Sequence, residues 1–244
     1  MNAIWIVSKR EFASFFVTPV GYIFIAIFLS MSGVFTFMFG NLYERGEADL
    51  LPFFNFHPWL YLFLVPAIAM RTWSEERKSG TIELLMTLPL STFRIVVGKF
   101  LAAWLVLAVC LLLTAPLWIT VNYLGDPDNG VIFASYIGSW LMSGAFLAVS
   151  MCMSALTKNQ VVAFILAIVL CFFFVLTGSP IVLNLLSDWA PNWVVDTVAS
   201  LSFLGQFQDI AKGVINANDV VFFVATIVIW LFANQVIIDH KKAS

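Results

Sequence analysis

Charge is what this sequence has least of. Asp, Glu, Lys and Arg make up 11% of its 244 residues, against roughly 25% in soluble globular chains. With 61% of the residues hydrophobic, a water-soluble fold has no means of hiding the apolar surface, so the solvent must be largely lipid. Cysteine is scarce as well. Cys110, Cys152 and Cys171 are odd in number and each sits in an apolar run, which offers neither a disulfide framework nor a metal-ligand spacing. The pattern G-x-x-x-x-G-K-[ST] is missing, so the chain has no phosphate-cradling loop of its own. A net charge of −2 is too balanced for a nucleic-acid binder. Lys9 and Arg10 follow an apolar start and no small-residue cleavage site closes the next run, which argues against a cleaved signal peptide.

What the sequence does contain is apolar length. Mean hydropathy is +0.97. A bilayer crossing takes about 20 apolar residues, and the charge-free runs are Phe12–Tyr43, Leu50–Met70, Phe100–Gly125, Asn129–Thr157, Asn159–Ser187 and Val220–Ile238. Trimmed at turn residues, they predict six spans at about 20–39, 58–71, 97–121, 131–156, 161–178 and 220–238. The second is short, its start lies as far back as Leu51 on a longer reading, and Pro66 predicts a kink in it rather than a break. An even number of spans puts both termini on one side. Cytoplasmic termini would place Lys9, Arg10, Arg71, Arg77, Lys78, Arg94, Lys99, Lys158, Lys241 and Lys242 inside and only Arg45 and Lys212 outside, as the bias of basic residues toward the cytoplasm requires.

The trimmed spans hold no Asp, Glu or His. His57 falls at an outer boundary, Arg71 closes the second span and Lys99 sits at the inner edge of the third. Proton- or ion-coupled carriers use an intramembrane ionisable relay, and intramembrane proteases use His or carboxylate partners at depth, so both classes are disfavoured. No selectivity filter is visible. Small residues on the fourth span, including Ser139, Ser143, Gly144, Ala148 and Cys152, permit close helix contact, either within the chain or at a dimer seam.

Three stretches outside the spans are patterned. In residues 1–18, Ile4, Trp5, Phe12, Phe15 and Phe16 recur at helical spacing around Lys9, Arg10 and Glu11, which predicts an interfacial helix turned into the first span at Pro19. In the charged stretch Thr72–Val96, Gly80 is a break, Thr81 a candidate cap and Pro89 a stop, predicting a two-turn helix over 81–88. Its face Ile82, Leu85 and Met86 suits a socket on a soluble partner; a helix resting on headgroups is the alternative, and the acidic lead-in Glu75 and Glu76 disfavours an anionic lipid surface. The outer stretch 179–219, with Trp189, Pro191 and Trp193, reads as short helices at the interface.

The segment Glu75-Glu76…Gly80-Thr81-Ile82-Glu83-Leu84-Leu85…Pro89…Gly98-Lys99-Phe100 resembles the signature of ABC-2 type transporter permeases, most closely their gliding-motility-type (GldF-like) branch. Lys9-Arg10-Glu11-Phe12…Pro19-Val20-Gly21-Tyr22 and Phe207…Lys212-Gly213-Val214-Ile215…Asp219-Val220 agree with it, so the resemblance runs the length of the chain. At Gln206 similar proteins often carry His, and no role is assigned there.

The resemblance implies a single all-α integral membrane domain over 1–244, the permease of an ATP-binding cassette transporter in the plasma (bacterial inner) membrane. Residues 1–18 would be its elbow helix, and Gly80, Thr81, Ile82, Glu83, Leu84, Leu85, Met86 and Pro89 its ATPase-coupling segment. Lys9, Arg10, Glu11, Phe12, Glu75, Glu76 and Arg77 would form the cytoplasmic gate. Phe63, Phe172, Phe173 and Phe174 are candidates for lining an apolar pathway, with lipid-facing bulk as the other reading. No catalytic residue and no metal are expected in this chain; ATP and Mg would reside in a partner P-loop ATPase. A second permease copy or close paralogue completes the expected pump, and an auxiliary extracytoplasmic protein often accompanies such permeases. Export or extraction is the expected activity, and a non-transporting membrane anchor or mechanotransmitter driven by the same kind of ATPase is the competing one.

Overall fold

The computed structural model describes residues 3–82 and 90–242, and every regular element among them is helical. Away from water, each backbone N–H and C=O needs a partner within its own segment, which a helix supplies. In chain order the helices are α1 (Ala3–Val17), α2 (Pro19–Val34) with a π-helical turn Phe35–Phe39, α3 (Leu51–Asn55), α4 (His57–Ala69), α5 (Arg71–Ser79), α6 (Thr92–Leu112), α7 (Ala115–Leu124), α8 (Asn129–Leu156), α9 (Gln160–Leu176), α10 (Pro180–Ser187), α11 (Asn192–Ser200), α12 (Phe203–Ala211) and α13 (Ala217–Lys242).

Among the described residues, four segments are long and apolar enough to cross a membrane: Pro19–Phe39, Thr92–Leu124, Asn129–Leu156 and Ala217–Lys241. A fifth arises if α9 and α10 are taken together, across a 69° bend. Six spans were expected, and by length and composition the helices supply four or five. The expected span 161–178 is long enough only as that bent pair, and the expected span 58–71 is not long enough. The latter falls on α4, whose 13 residues reach about 20 Å at ~1.5 Å per residue, short of a hydrocarbon core of about 30 Å. Pro52 and Pro58 each open a helix and the chain turns at Met70, so residues 51–79 form three helices in series. Pro66 lies inside α4, as expected. The stretch 179–219, expected on the outer side, forms three short helices, α10 to α12.

The axis of the bundle is α8. Its most apolar window is 67% buried, against 22% for α2 and 28% for α13, so α8 packs against protein while the other two present Ile23, Ile27, Val221, Val228 and similar side chains outward. Small residues make this possible, and they are used inside the chain. A Cβ on Gly138 would sit 2.6 Å from Ile210, and one on Gly144 2.8 Å from Trp104. Trp104 stacks on Trp140 at 4.1 Å and donates its indole N–H to the Trp140 carbonyl.

Gly98 brings α1 onto α6 in the same way, since a Cβ there would lie 2.8 Å from the Val7 side chain. Gly98→Leu is expected to lower stability by about 1–3 kcal/mol through overpacking. Gly33→Leu, where a Cβ meets nothing within 4 Å, should leave the thermal midpoint in detergent near that of the parent protein. Equal midpoints for the two variants would remove the close contact from the account.

Candidate functional site

α1, the first turns of α6 and the last turn of α13 meet at one end of the bundle: Val7 packs on Gly98, and Thr92 donates to Asp239 at 2.6 Å. Most of the basic residues collect there, and the sequence at this end forms a specific arrangement around α5.

α5 continues α4 past Met70, and Ser154 of α8 fills the junction. Its hydroxyl donates to the Met70 carbonyl at 2.8 Å and accepts from the Trp73 and Ser74 N–H groups at 3.2 Å. Those amide groups have no partner inside their own helix, as at any helix start. Further along, Arg77 donates to the Ala155 carbonyl at 2.8 Å, and Lys241 donates to Ala155 and Leu156 at 3.2 and 2.5 Å. Two cations thus close the last carbonyls of α8, where the helix dipole favours positive charge.

On its other side α5 meets Lys99, whose side chain is only 4% exposed. The ammonium lies 2.7 Å from Glu76 and 3.4 Å from Glu11, and 5.2 Å from the centre of the fully buried Trp73 ring. Two carboxylates and the indole face thus surround the ammonium. Arg10 reaches Glu11 at 2.7 Å and completes a charge chain running α1–α6–α5. One oxygen of Glu76, Oε2, is buried without a hydrogen bond. A buried cation is tolerated only when paired in this way.

Burial alone would raise the Glu11 carboxyl, but the Lys99 charge and the bonds and charge of Arg10 outweigh it and hold the group below its ordinary 4.5. A carboxylate with a lowered folded pKa adds stability that is complete above its unfolded pKa and disappears as pH falls through the folded value. The thermal midpoint should therefore fall on acidification below the ordinary carboxylate range. Glu11→Gln should remove part of that fall, and an unchanged acid profile in Glu11→Gln would show that the pair adds nothing to the fold.

α5 ends at Gly80, whose φ of +75° lies in the left-handed region that favours glycine. Thr81 was expected to cap the following helix. Its hydroxyl points toward the Glu76 carbonyl at 3.4 Å and sits 2.9 Å from the Ser79 hydroxyl, and the amide groups it would cap lie outside the described residues. Thr81 and Ile82 are helical, and Ile82 is partly buried against the core. Glu83, Leu84, Leu85, Met86 and Pro89, the rest of the expected coupling segment, lie outside the described residues.

Of the expected gate residues, the structure brings Arg10, Glu11 and Glu76 together around Lys99 and sets Arg77 on α8. Phe12 packs against the core, while Lys9 and Glu75 are exposed. The buried face of α1 is centred on Val7 and Ser8; Trp5, expected on the apolar face, points outward at 56% exposure. Phe63, Phe172 and Phe173 are exposed on the bundle surface, whereas Phe174 stacks on Phe203 at 4.9 Å inside it.

Sequence reasoning placed Lys99 at a span edge and gave it no partner, counted Ser154 only among the small residues of the fourth span, and overlooked Trp73. The signal available was the helical spacing of Trp73, Glu76 and Arg77, which puts one aromatic and two charged groups on adjoining faces. His57, expected at a span boundary, opens α4, and its surroundings were not foreseen. It is fully buried at the start of α4, lies 3.3 Å from the Ser139 hydroxyl and stacks with Phe28 and Tyr61, and Tyr61 shares a 2.7 Å hydrogen bond with the same Ser139. Polar groups at that depth bond to one another because no water competes.

A helical bundle with lipid-type outer faces, a polar-stitched axis and its basic residues gathered at one end defines a multi-pass membrane protein. The chain belongs to the ABC-2 family transporter proteins, whose family model matches residues 38–237. It is accordingly a permease subunit of the ABC transporter class. The match begins within the π-helical turn and leaves α1 outside it. No curated protein matches the chain.

Proposed function

We propose that this chain is a permease of the gliding-motility-type branch that pairs with a second copy or close paralogue and with two cytoplasmic ABC ATPases. The observation that carries this reading is the wiring of α5. It leads into residues 80–91, and it is tied to α1 and α6 through Lys99 and to α8 through Ser154 and Arg77. A push on residues 81–88 by an ATPase would therefore be delivered to three helices at once, by rigid-body movement of a braced element. ATP and Mg belong to the partner chain in this reading, and α1 is the elbow helix.

The bundle axis is filled by side chains such as Ala145, Phe146, Leu147 and Ala148, all without exposure. That favours a pathway formed between two permease copies, where Phe63, Phe172 and Phe173 on the outer surface are available to line it. Export or extraction follows as the activity, from the plasma (bacterial inner) membrane, with an auxiliary extracytoplasmic protein as a further partner. Co-expression of the permease with candidate ABC ATPases from its own genome, followed by co-purification and measurement of ATP hydrolysis in proteoliposomes, tests the reading. A permease that captures no ATPase and stimulates no hydrolysis would overturn it.

The orientation rests on the ten-to-two division of Lys and Arg. With Cys110, Cys152 and Cys171 replaced, single cysteines at Gly46, Asp126 and Asn192 should react with an impermeant thiol reagent on intact cells, and one at Asn159 should not. Labelling confined to Asn159 would invert the topology.

A further inference from the structure

Between α1 and the junction of α4 with α5, floored by α6, lies an open crevice of about 260 Å³. It crosses the level at which the apolar segments begin: Val20 belongs to the segment Pro19–Phe39, while Glu11, Arg71 and Glu75 lie outside every such segment. Its lining is amphipathic to match. Phe15, Val20 and Ile68 form an apolar wall, and five charged side chains line the remainder. Three of the five are spent on one another. Lys99 holds Glu76 at 2.7 Å and Glu11 at 3.4 Å, and Arg10, which does not line the crevice, neutralises the second carboxylate of that group. The hydroxyls along α1 are used as well, since Ser14 donates to the Glu11 carbonyl at 2.6 Å and Thr18 to the Ser14 carbonyl at 3.2 Å.

Arg71 and Glu75 remain, one cation and one anion. Both are exposed, and neither forms an ion pair among the described residues. They stand four residues apart on α5, which sets their Cβ atoms about 5–6 Å from each other on one face. A molecule that suits this crevice carries an acceptor for the guanidinium, a donor for the carboxylate about one helical turn away, and an apolar part for the wall. An anion alone would meet Glu75 and be repelled, and a cation alone would meet Arg71. A neutral apolar molecule would leave both charges as they are. An aminoethyl phosphodiester has the required form: its phosphate accepts the paired N–H groups of an arginine, and its ammonium, two methylenes away, has three donors to give.

We propose that this crevice binds one phospholipid with a primary-amine headgroup, its phosphate on Arg71, its ammonium on Glu75 and the start of its chains against Phe15 and Val20. A choline headgroup has no N–H to give Glu75, and a glycerol headgroup brings no cation. The site makes no use of the ATPase reading or of a transport pathway. The test uses the full-length permease, stripped of lipid in detergent and mixed with equal amounts of dioleoyl phosphatidylethanolamine, phosphatidylcholine and phosphatidylglycerol. Native mass spectrometry then reads the first lipid bound. The ethanolamine lipid is expected to exceed the choline lipid by about tenfold, the weight of one hydrogen bond between charged groups. Glu75→Gln should bring it to the level of the choline lipid, and Glu75→Asp should keep the preference. Arg71→Gln should lower the binding of both. The two side chains are exposed, so their replacement spares the packed core. Excess glycerophosphoethanolamine, the headgroup without its chains, should leave the lipid in place. Equal binding of the three lipids, an undiminished preference in Glu75→Gln, or full binding in Arg71→Gln would each overturn the proposal. Displacement by the free headgroup would overturn it too and give the crevice to a soluble zwitterion.

Discussion

Lys99→Met is expected to destabilise the protein by about 2–4 kcal/mol and to uncouple α1 from α5. Removing one member of a buried ion pair costs about 3–5 kcal/mol because the charges left behind are uncompensated. Here Glu11 and Glu76 keep about a fifth of their side-chain exposure, so water offsets part of that loss and the lower figure applies. Two carboxylates would then face each other with only Arg10, itself 59% exposed, to neutralise them. The variant Lys99→Met/Glu11→Gln/Glu76→Gln leaves only the exposed Arg10 charged at the site and should recover most of the stability, since a neutral replacement of a buried pair is often tolerated. Thermal unfolding of the three proteins in the same detergent gives the comparison. A single variant as stable as the parent would mean that the clasp is incidental to the fold. A triple variant that is stable yet fails to stimulate its ATPase would place the clasp in coupling rather than in stability.

Leu85→Asp is expected to abolish association with the ATPase while leaving the bundle intact. In the helix proposed for 81–88, Leu85 would lie on the apolar face offered to the ATPase, and burial of such a group is worth roughly 1.5–3 kcal/mol. Forcing a carboxylate into the same socket adds a desolvation cost of similar size, so the combined effect corresponds to a loss of roughly a hundredfold or more in affinity. Glu83→Ala should do far less, because a rim ion pair is worth at most about 1 kcal/mol. Pull-down and stimulated hydrolysis are the measurements, with gel filtration to establish that the permease is folded. A Leu85→Asp permease that still holds and stimulates its ATPase would place residues 81–88 on lipid instead.

Particular residues show where sequence reasoning reached and where it stopped. The run Asn129–Thr157 identified α8 to within two residues at each end, and its Ser, Gly and Ala content marked a helix built for close approach. The run Leu50–Met70 read as one span because apolar composition is blind to a change of helix axis, and it resolved into α3 and α4, joined at Phe56. His57 was assigned to a boundary since its neighbours in sequence are a loop, yet Phe28, Tyr61 and Ser139 enclose it. Glu11 and Glu76 were singled out as charged residues at one end and Lys99 was placed at a span edge, but Lys99 was not recognised as their common partner.

Composition and the placement of Lys and Arg were by themselves sufficient to determine a helical, lipid-solvated chain, its main apolar segments and the grouping of its charges. These are properties of each segment alone: the free energy of placing a residue in lipid adds along the chain, and a helix satisfies its own backbone. The tertiary structure alone decided which helix lies at the axis, that α5 is braced by Ser154, Arg77 and Lys99, and that Arg71 and Glu75 share a crevice with Phe15 and Val20. Those outcomes depend on the rotation and register of one helix against another, which packing volume sets across residues far apart in the chain and which no local periodicity encodes.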